Sequence, residues 1–283
     1  THVTAFNTTE GVPTGVTFNP DGTRMYVIGI NNDTIRQYTL STGFDLSSTV
    51  TLEQSVSITS LEGNPQDIAF NSDGTVIFIA GTAGNGIDSW SLSTAYDISS
   101  MDATDDHIAF KSVGGDPRDL AFNSDGTKMF ILNGLTEVKE YALSTAYDPD
   151  TLTLTNTLSI SLDGAGQGMG FSSDGKKMFL VASSTNKIHL YNLTSGFDLS
   201  DVSYFGEYSV NTSASMNISG LAFNSDGTKM FHADFNEDEI QEYSLSCRYG
   251  VVDCEPTLSS SSPADGATGV GVNDNIILTF SEA

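Results

Sequence analysis

The chain has 283 residues, with 36 Asp and Glu against 11 Lys and Arg, and a formal net charge of −25. A field of this sign repels phosphate backbones and anionic lipid surfaces, so we expect no nucleic-acid partner and no membrane binding through basic patches. No apolar run approaches the roughly 20 residues that span a bilayer, so we also expect no membrane insertion.

A repeated string sets the organisation of the chain. AFNSDGTKMF occurs at 121–130 and again at 222–231, and looser versions begin at Thr17, Ala69 and Gly170. The Asp-Gly pairs of the five copies recur at a nearly constant spacing and begin at Asp21, Asp73, Asp125, Asp174 and Asp226. A fixed period of this size is typical of a repeat architecture, with units of about 52 residues.

Each unit predicts four short strands in the same order. A strand such as LAF precedes the NSDG turn, and a second strand such as TKMF follows it. After a polar hairpin comes a third strand that carries an aromatic residue, namely Tyr38, Trp90, Tyr141, Tyr191 or Tyr243. A Thr/Ser/Val segment such as VTLEQSVSIT supplies an outer fourth strand. Four antiparallel strands per unit predict the blade of a β-propeller.

The ends of the repeat predict how the ring closes. The fifth unit has three predicted strands before Cys254 and lacks an outer one, whereas EGVPTGVTF at 10–18 matches EGNPQDIAF one period later. The segment His2 to Thr8 therefore lies where an outer strand belongs. We expect residues 1–254 to form an all-β, five-bladed propeller of four-stranded antiparallel blades, closed by the N-terminal strand, which removes exposed sheet edges.

The unit also resembles a known repeat. Its pattern of Ile/Leu-Ala-Phe, then Asp-Gly-Thr-x-Met-Phe, then Tyr-x-Leu-Ser-Thr is similar to extracellular propeller repeats related to the YVTN and NHL repeats, especially a version common in marine microbial surface proteins. The resemblance covers residues 1 to about 254. It implies the fold and an extracellular or cell-surface location, but propellers of this kind serve adhesion, scaffolding, ligand binding and occasionally catalysis.

The character of the chain changes after Cys254. Residues 255–283 begin with a Ser-rich linker and continue to an alternating strand, Ile276 to Phe280. They resemble the first strands of a bacterial Ig-like domain, which in full takes about 100 residues. We expect a truncated Ig-like domain, a longer modular parent protein and adjacent Ig-like domains as partners in that parent. The alternative is a disordered tail.

The residues that precede the inner strands differ between units and are the first candidates for a site. Gln66 and Asp67, Arg118 and Asp119, and Gln167 are predicted to lie at one mouth of the central channel. A pair of carboxylates there is able to bind a cation or a polar ligand, or to act in acid-base chemistry. The alternative is that each Asp caps backbone N–H groups around the channel.

The hairpin of the fifth unit is the second candidate. Asp234, Asn236, Asp238 and Glu242 place oxygen atoms at positions one, three, five and nine of a loop, as a Ca²⁺ ion requires, although Glu239 replaces the usual Gly at position six. The alternative is a solvated acidic hairpin. We expect His232 to be a packed strand residue.

Two further sets of residues are interpreted structurally. The Asp of each NSDG turn is expected to hold its own turn, because it recurs in all five units. Cys247 and Cys254 are separated by six residues and are expected to form a local disulfide, which indicates an oxidising compartment. Two free thiols are the alternative.

The sequence contains no nucleophile elbow, no His-Glu-x-x-His motif and no phosphate-binding loop. We therefore expect a non-catalytic extracellular module for adhesion, binding or surface-scaffold structure, with an extracellular glycan or a surface protein as partner. The alternative function is a glycoside hydrolase or lactonase that uses Asp67 and Asp119.

Overall fold

A computed structural model describes residues 1–60, 62–101, 107–134, 136–210, 216–251, 258–263, 268 and 277–280. These residues form short strands rich in β-branched and aromatic side chains, connected by turns with Gly, Asn and Asp. Helical structure in this part of the chain is confined to three single 3₁₀ turns, at Ile98–Ser100, Pro149–Thr151 and Ser183–Thr185.

The strands form five four-stranded antiparallel sheets, which are the blades. Blade 1 contains β2 (Pro13–Phe18), β3 (Arg24–Gly29), β4 (Thr34–Leu40) and β5 (Val50–Ser57). Blade 2 contains β6 (Pro65–Phe70), β7 (Val76–Gly81), β8 (Gly86–Ser91) and β9 (His107–Ser112). Blade 3 contains β10 (Pro117–Phe122), β11 (Lys128–Asn133), β12 (Glu137–Leu143) and β13 (Leu152–Ser159). Blade 4 contains β14 (Gly166–Phe171), β15 (Lys177–Ala182), β16 (Lys187–Leu193) and β17 (Val202–Ser209). Blade 5 contains β18 (Ile218–Phe223), β19 (Lys229–Asp234), β20 (Glu239–Ser244) and the N-terminal strand β1 (His2–Asn7).

The blades form a closed five-membered ring. Each inner strand contacts the inner strands of both neighbouring blades, and β18 of blade 5 contacts β2 of blade 1. The N-terminal strand β1 pairs antiparallel with β20, with Phe6 opposite Ile240. The predicted fold, blade number and closure by the N-terminal strand are therefore confirmed.

Aromatic pairs hold neighbouring blades together at all five interfaces. The last residue of each inner strand packs on the aromatic residue of the second strand in the preceding blade, with ring centroids 4.6 to 4.8 Å apart. The pairs are Phe70–Tyr26, Phe122–Phe78, Phe171–Phe130, Phe223–Phe179 and Phe18–Phe231. Both aromatic residues of the repeated string AFNSDGTKMF thus belong to blade interfaces, where large rings contribute buried apolar area.

The turn in the repeated string is structural. In blade 3, Asp125 Oδ1 accepts hydrogen bonds from the backbone N–H of Thr127 at 3.0 Å and from its hydroxyl at 2.5 Å. Gly126 has a φ of +71°, and a Cβ at this position would lie 2.2 Å from the ring of Tyr147. Glycine is therefore required twice over, by its backbone conformation and by the ring packed against it.

A two-stranded sheet follows the five blades along the chain. Strands β21 (Leu258–Ser262) and β22 (Ile277–Phe280) pair antiparallel, with Leu258 opposite Phe280. The strand expected at Ile276 to Phe280 is present over Ile277–Phe280, and Ile276 lies outside the described residues.

His232 is the clearest local exception to the repeated core. It is fully buried on β19, where the other blades carry Val27, Ile79, Ile131 and Leu180, as expected for a packed strand residue. Its ring stacks on Tyr243 with centroids 5.4 Å apart. Its Nε2 has no hydrogen-bond partner among the described residues. Burial lowers the pKa of His232 to about 4.

We therefore expect His232→Leu to raise the free energy of unfolding by about 1–3 kcal/mol, because it removes a buried polar atom without a partner. In wild type the unfolded chain binds a proton at this side chain between pH 6.5 and about 4 while the folded chain does not, so stability is lost as the pH falls through that window. The gain should be larger at pH 5 than at pH 8 in urea titrations. Equal stability of variant and wild type at both pH values would contradict this account.

Candidate functional site

Five equivalent residues surround one mouth of the channel. The register between the first and second strands shifts once in every blade near the start of the inner strand. Such bulges redirect side chains. The residues just before the inner part of each strand are Thr14, Gln66, Arg118, Gln167 and Ser219.

Gln66, Arg118 and Gln167 lie together in one cavity of about 170 Å³, whereas Asp67 and Asp119, which the sequence predicted at the same mouth, do not line it. Arg118 donates from Nη1 to Gln66 Oε1 at 3.2 Å and from Nε to Asp116 Oδ2 at 3.0 Å. Gln66 in turn donates to Asn64 Oδ1 at 3.0 Å. The cavity wall is completed by Asn217, Ser183, Ser219, Ile30 and Phe235. The mouth therefore offers amide, hydroxyl and guanidinium groups in a partly apolar pocket.

Asp67 and Asp119 lie deeper in the ring and hold neighbouring blades together. Both are buried, with 6% and 2% of their surface exposed. Asp67 Oδ2 accepts a hydrogen bond from the backbone N–H of Leu120 in blade 3 at 3.2 Å. Asp119 Oδ2 accepts one from the backbone N–H of Met169 in blade 4 at 2.9 Å. Each carboxyl thus caps a backbone amide, but that amide belongs to the next blade.

The other three blades have glycine at the position of these two carboxyls, namely Gly15, Gly168 and Gly220. A Cβ on Gly15 would lie 2.6 Å from Asp67 Oδ1, and a Cβ on Gly220 would lie 2.7 Å from the carbonyl oxygen of Thr14. At this level the five inner strands approach too closely for five side chains. The two carboxyls occupy the space that the three glycines leave.

Burial changes the acidity of both groups. Burial raises the pKa of the Asp67 carboxyl to about 7. Burial, with a further contribution from the charge of Asp67, raises the pKa of Asp119 well above its usual value. Asp119 Oδ1 has no hydrogen-bond partner in the described part of the chain. Burial therefore favours the protonated form of both carboxyls.

The acidic hairpin of blade 5 uses its carboxylates for contacts within the protein. Asp234 Oδ1 accepts backbone hydrogen bonds from Asn217 at 3.3 Å and from Asn236 at 3.1 Å. Asp238 Oδ1 accepts one from Val12 at 2.8 Å. Calcium binding at this hairpin stays a prediction.

Glu242, the fourth proposed calcium ligand, connects blade 5 to blade 1. Its Oε1 lies 2.8 Å from Lys229 Nζ, and its Oε2 accepts the backbone N–H of Leu46 at 2.7 Å. Glu140 makes the equivalent contacts in blade 3. The recurrence of this pair in two blades was visible in the sequence, and it indicates a structural role for Glu242.

One polar cluster escaped the sequence analysis. In blade 4, a carboxylate oxygen of Asp163, a ring nitrogen of His189 and a carboxylate oxygen of Glu207 lie within 4.8 Å of one another. Lys187 Nζ lies between the two carboxylates, 2.5 Å from Asp163 and 2.6 Å from Glu207. The sequence carried a signal for this cluster, because Lys187 and His189 are two residues apart on β16 and therefore lie on one face of the strand. His189 lies directly opposite Glu207 on the neighbouring strand. The ammonium group pairs with both carboxylates and balances one of their two negative charges, so we interpret the cluster as a surface ion-pair network.

The predicted disulfide stays a prediction, because Cys254 lies outside the described residues. In the part of the chain that is described, no helix has the length and apolar character needed to cross a membrane.

Comparisons with known proteins agree with this architecture. Residues 253–283 match the bacterial Ig-like domain family. No curated protein sequence matches the chain.

Many solved structures resemble the fold at low sequence identity. They include a protein of Bacteroides fragilis described as a "putative 6-phosphogluconolactonase" (11% identity, TM-score 0.50, covering 83% of this chain and 67% of that one). The β-propeller domain of Myceliophteria thermophila Cps50 (Swd1) is 10% identical, with a TM-score of 0.50 and coverage of 86% and 100%. Kuenenia stuttgartiensis hydrazine synthase is 10% identical, with a TM-score of 0.50 and coverage of 85% and 97%. At these identities the likeness establishes the fold alone.

Proposed function

We propose that this chain is a non-catalytic binding module of a secreted or cell-surface bacterial protein, and that it takes a polar ligand such as a glycan at the channel mouth. The observation that carries the proposal is the convergence of Gln66, Arg118 and Gln167 in one cavity. Amide and guanidinium groups beside a few apolar side chains suit the hydroxyl groups and ring faces of sugars. The cavity, at about 170 Å³, suits a single sugar residue or a chain end.

The surroundings of the propeller support an extracellular module. An Ig-like match directly follows it, and bacterial Ig-like domains are typical of surface proteins, so the parent is proposed to be modular, with Ig-like domains beside the propeller. The resemblance of the repeats to YVTN and NHL propellers of marine surface proteins, the acidic composition and the proposed Cys247–Cys254 disulfide fit the same setting. A variant of this proposal is an adhesion module that binds a surface protein instead of a glycan.

A hydrolase or lactonase is the second candidate, favoured by one observation. A carboxyl group with a pKa near 7, as burial gives Asp67, is suited to general acid-base catalysis. However, Asp67 and Asp119 each hold a backbone amide of the next blade. Their hydrogen bonds therefore support the non-catalytic form.

Glycan binding at the channel mouth makes a direct prediction. A ligand identified on a glycan panel should bind Gln167→Ala and Arg118→Gln about tenfold more weakly than wild type, since each change removes one or two hydrogen bonds to the ligand. Affinities are to be measured by calorimetry with and without a calcium chelator, which also tests the proposed hairpin site. Gln54→Ala on the outer strand β5 is the matched control and should bind as wild type does. Binding that survives both mouth variants would rule out this site.

A further inference from the structure

A second cavity, of about 490 Å³, lies between blades 4 and 5 and is positively charged. Lys176, Lys177 and Arg248 all line it. These are three of the 11 Lys and Arg residues in a chain whose net charge is −25. A cluster of three positive side chains is therefore unusual for a protein of this composition. None of them belongs to the channel mouth described above.

The other four blades show that two of these cations are additions. Lys176 stands where they carry Thr23, Thr75, Thr127 and Thr228, whose hydroxyl groups bond the turn Asp. Arg248 precedes the corner aromatic Tyr249, at a position that is otherwise small, namely Gly43, Ala95, Ala146 and Gly196. The fold of the other blades therefore needs no cation at either position, and Arg248 uses its Nε to donate to the carbonyl oxygen of Asp226 at 2.8 Å.

A third departure removes a negative charge from the same place. In blades 3 and 5 the Lys at the position of Lys177 pairs with a glutamate, Lys128 with Glu140 at 2.7 Å and Lys229 with Glu242 at 2.8 Å. Blade 4 has buried Leu190 at the glutamate position. Lys177 keeps an interaction of its own within the protein. Blade 4 therefore lacks the glutamate that pairs with this lysine in blades 3 and 5.

Among the described residues that line the pocket, one carboxylate is present, and it is bound within its own turn. Asp174 Oδ1 accepts hydrogen bonds from Ser172 Oγ at 2.7 Å and from the backbone N–H of Lys176 at 3.1 Å. Asn192, also in the wall, adds neutral hydrogen-bonding capacity. The lining thus carries three cations against one anion.

We propose that this pocket binds an oxyanion group, a sulfate, phosphate or carboxylate, on a compact ligand. A guanidinium and two ammonium groups around one cavity are the donors that oxyanions prefer. The negative field of the remaining chain repels long polyanions. The ligand is therefore a small anion or the charged end of an otherwise neutral glycan.

The test is calorimetric titration of the whole chain with inorganic sulfate, inorganic phosphate and a monosaccharide sulfate, all at constant ionic strength. Saturable binding is expected, and Lys176→Thr and Arg248→Gly should each weaken it roughly tenfold. Both variants restore the residue that other blades carry, so they should fold as wild type does. Lys139→Thr in blade 3, which removes one positive charge away from the pocket, is the matched control and should bind as wild type does.

A gain of negative charge at the position that carries glutamate in blades 3 and 5 provides the converse variant. Leu190→Glu installs the carboxylate of blades 3 and 5 beside Lys177 and should abolish anion binding. If Leu190→Glu fails to fold, Lys176→Thr and Arg248→Gly still test whether the pocket binds anions. Tighter binding of the monosaccharide sulfate than of inorganic sulfate would identify a charged sugar as ligand, and equal binding would identify a free oxyanion. Absence of saturable binding by all three probes, or unchanged binding by Lys176→Thr and Arg248→Gly, would overturn the proposal.

Discussion

Glu242→Gln is expected to lower the free energy of unfolding by about 1.5–3 kcal/mol, because hydrogen bonds to charged groups contribute that much and the Lys229 side chain of this ion pair is 27% exposed. The Glu242 side chain is only 1% exposed and lies 2.8 Å from Lys229 Nζ. Its second oxygen accepts the backbone N–H of Leu46 in blade 1. The substituted amide nitrogen would have to face one of these two donors.

The predicted loss of stability arises at the interface between blades 5 and 1. Blades 5 and 1 are joined by the aromatic pair Phe18–Phe231 and by the contacts of Glu242, and this interface closes the ring. We expect urea titrations to show a lower midpoint with an unchanged slope, as for a change in stability alone.

Two substitutions serve as matched comparisons. Glu140→Gln should cost as much as Glu242→Gln, because Glu140 pairs with Lys128 at 2.7 Å and accepts the backbone N–H of Leu199. Glu53→Gln should cost less than about 1 kcal/mol, since exposed ion pairs contribute little and the amide oxygen is able to keep accepting the hydrogen bonds from Gln37 and Thr39. Glu53 is 36% exposed and its oxygen is 3.6 Å from Arg24. A cost for Glu53→Gln equal to that of Glu242→Gln would contradict the argument.

The fold was predictable because its signals are local. The Asp-Gly turn, the alternation of the strands and the 52-residue period each lie within one unit, and closure by β1 followed from one outer strand missing at the end of the chain. The role of Glu242 was not predictable from its own segment. One of its partners, Leu46, is 196 residues away.

The candidate sites were predictable to different degrees. Gln66, Arg118 and Gln167 were placed together because they occupy equivalent positions in adjacent blades. The burial of Asp119 depends on how closely five strands approach, which no single unit reveals. The basic pocket was detectable in the sequence, since Lys176 and Arg248 replace the Thr and the Gly or Ala that the four other blades carry at these positions.

Asp119→Asn is expected to stabilise the protein at pH 8, seen as a higher free energy of unfolding in urea. Burial and the charge of Asp67 raise the pKa of Asp119, so ionisation of this carboxyl opposes folding. An asparagine carries no charge, and its oxygen is able to accept the hydrogen bond from Met169 N–H that the carboxyl accepts at 2.9 Å.

The sign of the pH dependence follows from the raised pKa values. Between the unfolded value near 3.8 and the folded value of about 7 for Asp67, the folded chain binds more protons than the unfolded chain. The contribution of the pair to stability is therefore complete below pH 3.8 and is lost as the pH rises through about 7. Asp119→Asn should flatten this part of the profile, measured as the unfolding free energy in urea from pH 4 to pH 8.

Asp125→Asn, in the same blade, is the matched control with the opposite sign. Hydrogen bonds from Thr127 lower the pKa of this exposed turn carboxyl, so its contribution to stability is present above pH 3.8 and lost on acidification.

The same Asp119→Asn protein also separates the two candidate functions. A binding module should keep its ligand at the channel mouth and gain stability, whereas a hydrolase that uses Asp119 should gain stability and lose its activity. A loss of stability at pH 8 would show that the Asp119 carboxylate itself holds blades 3 and 4 together.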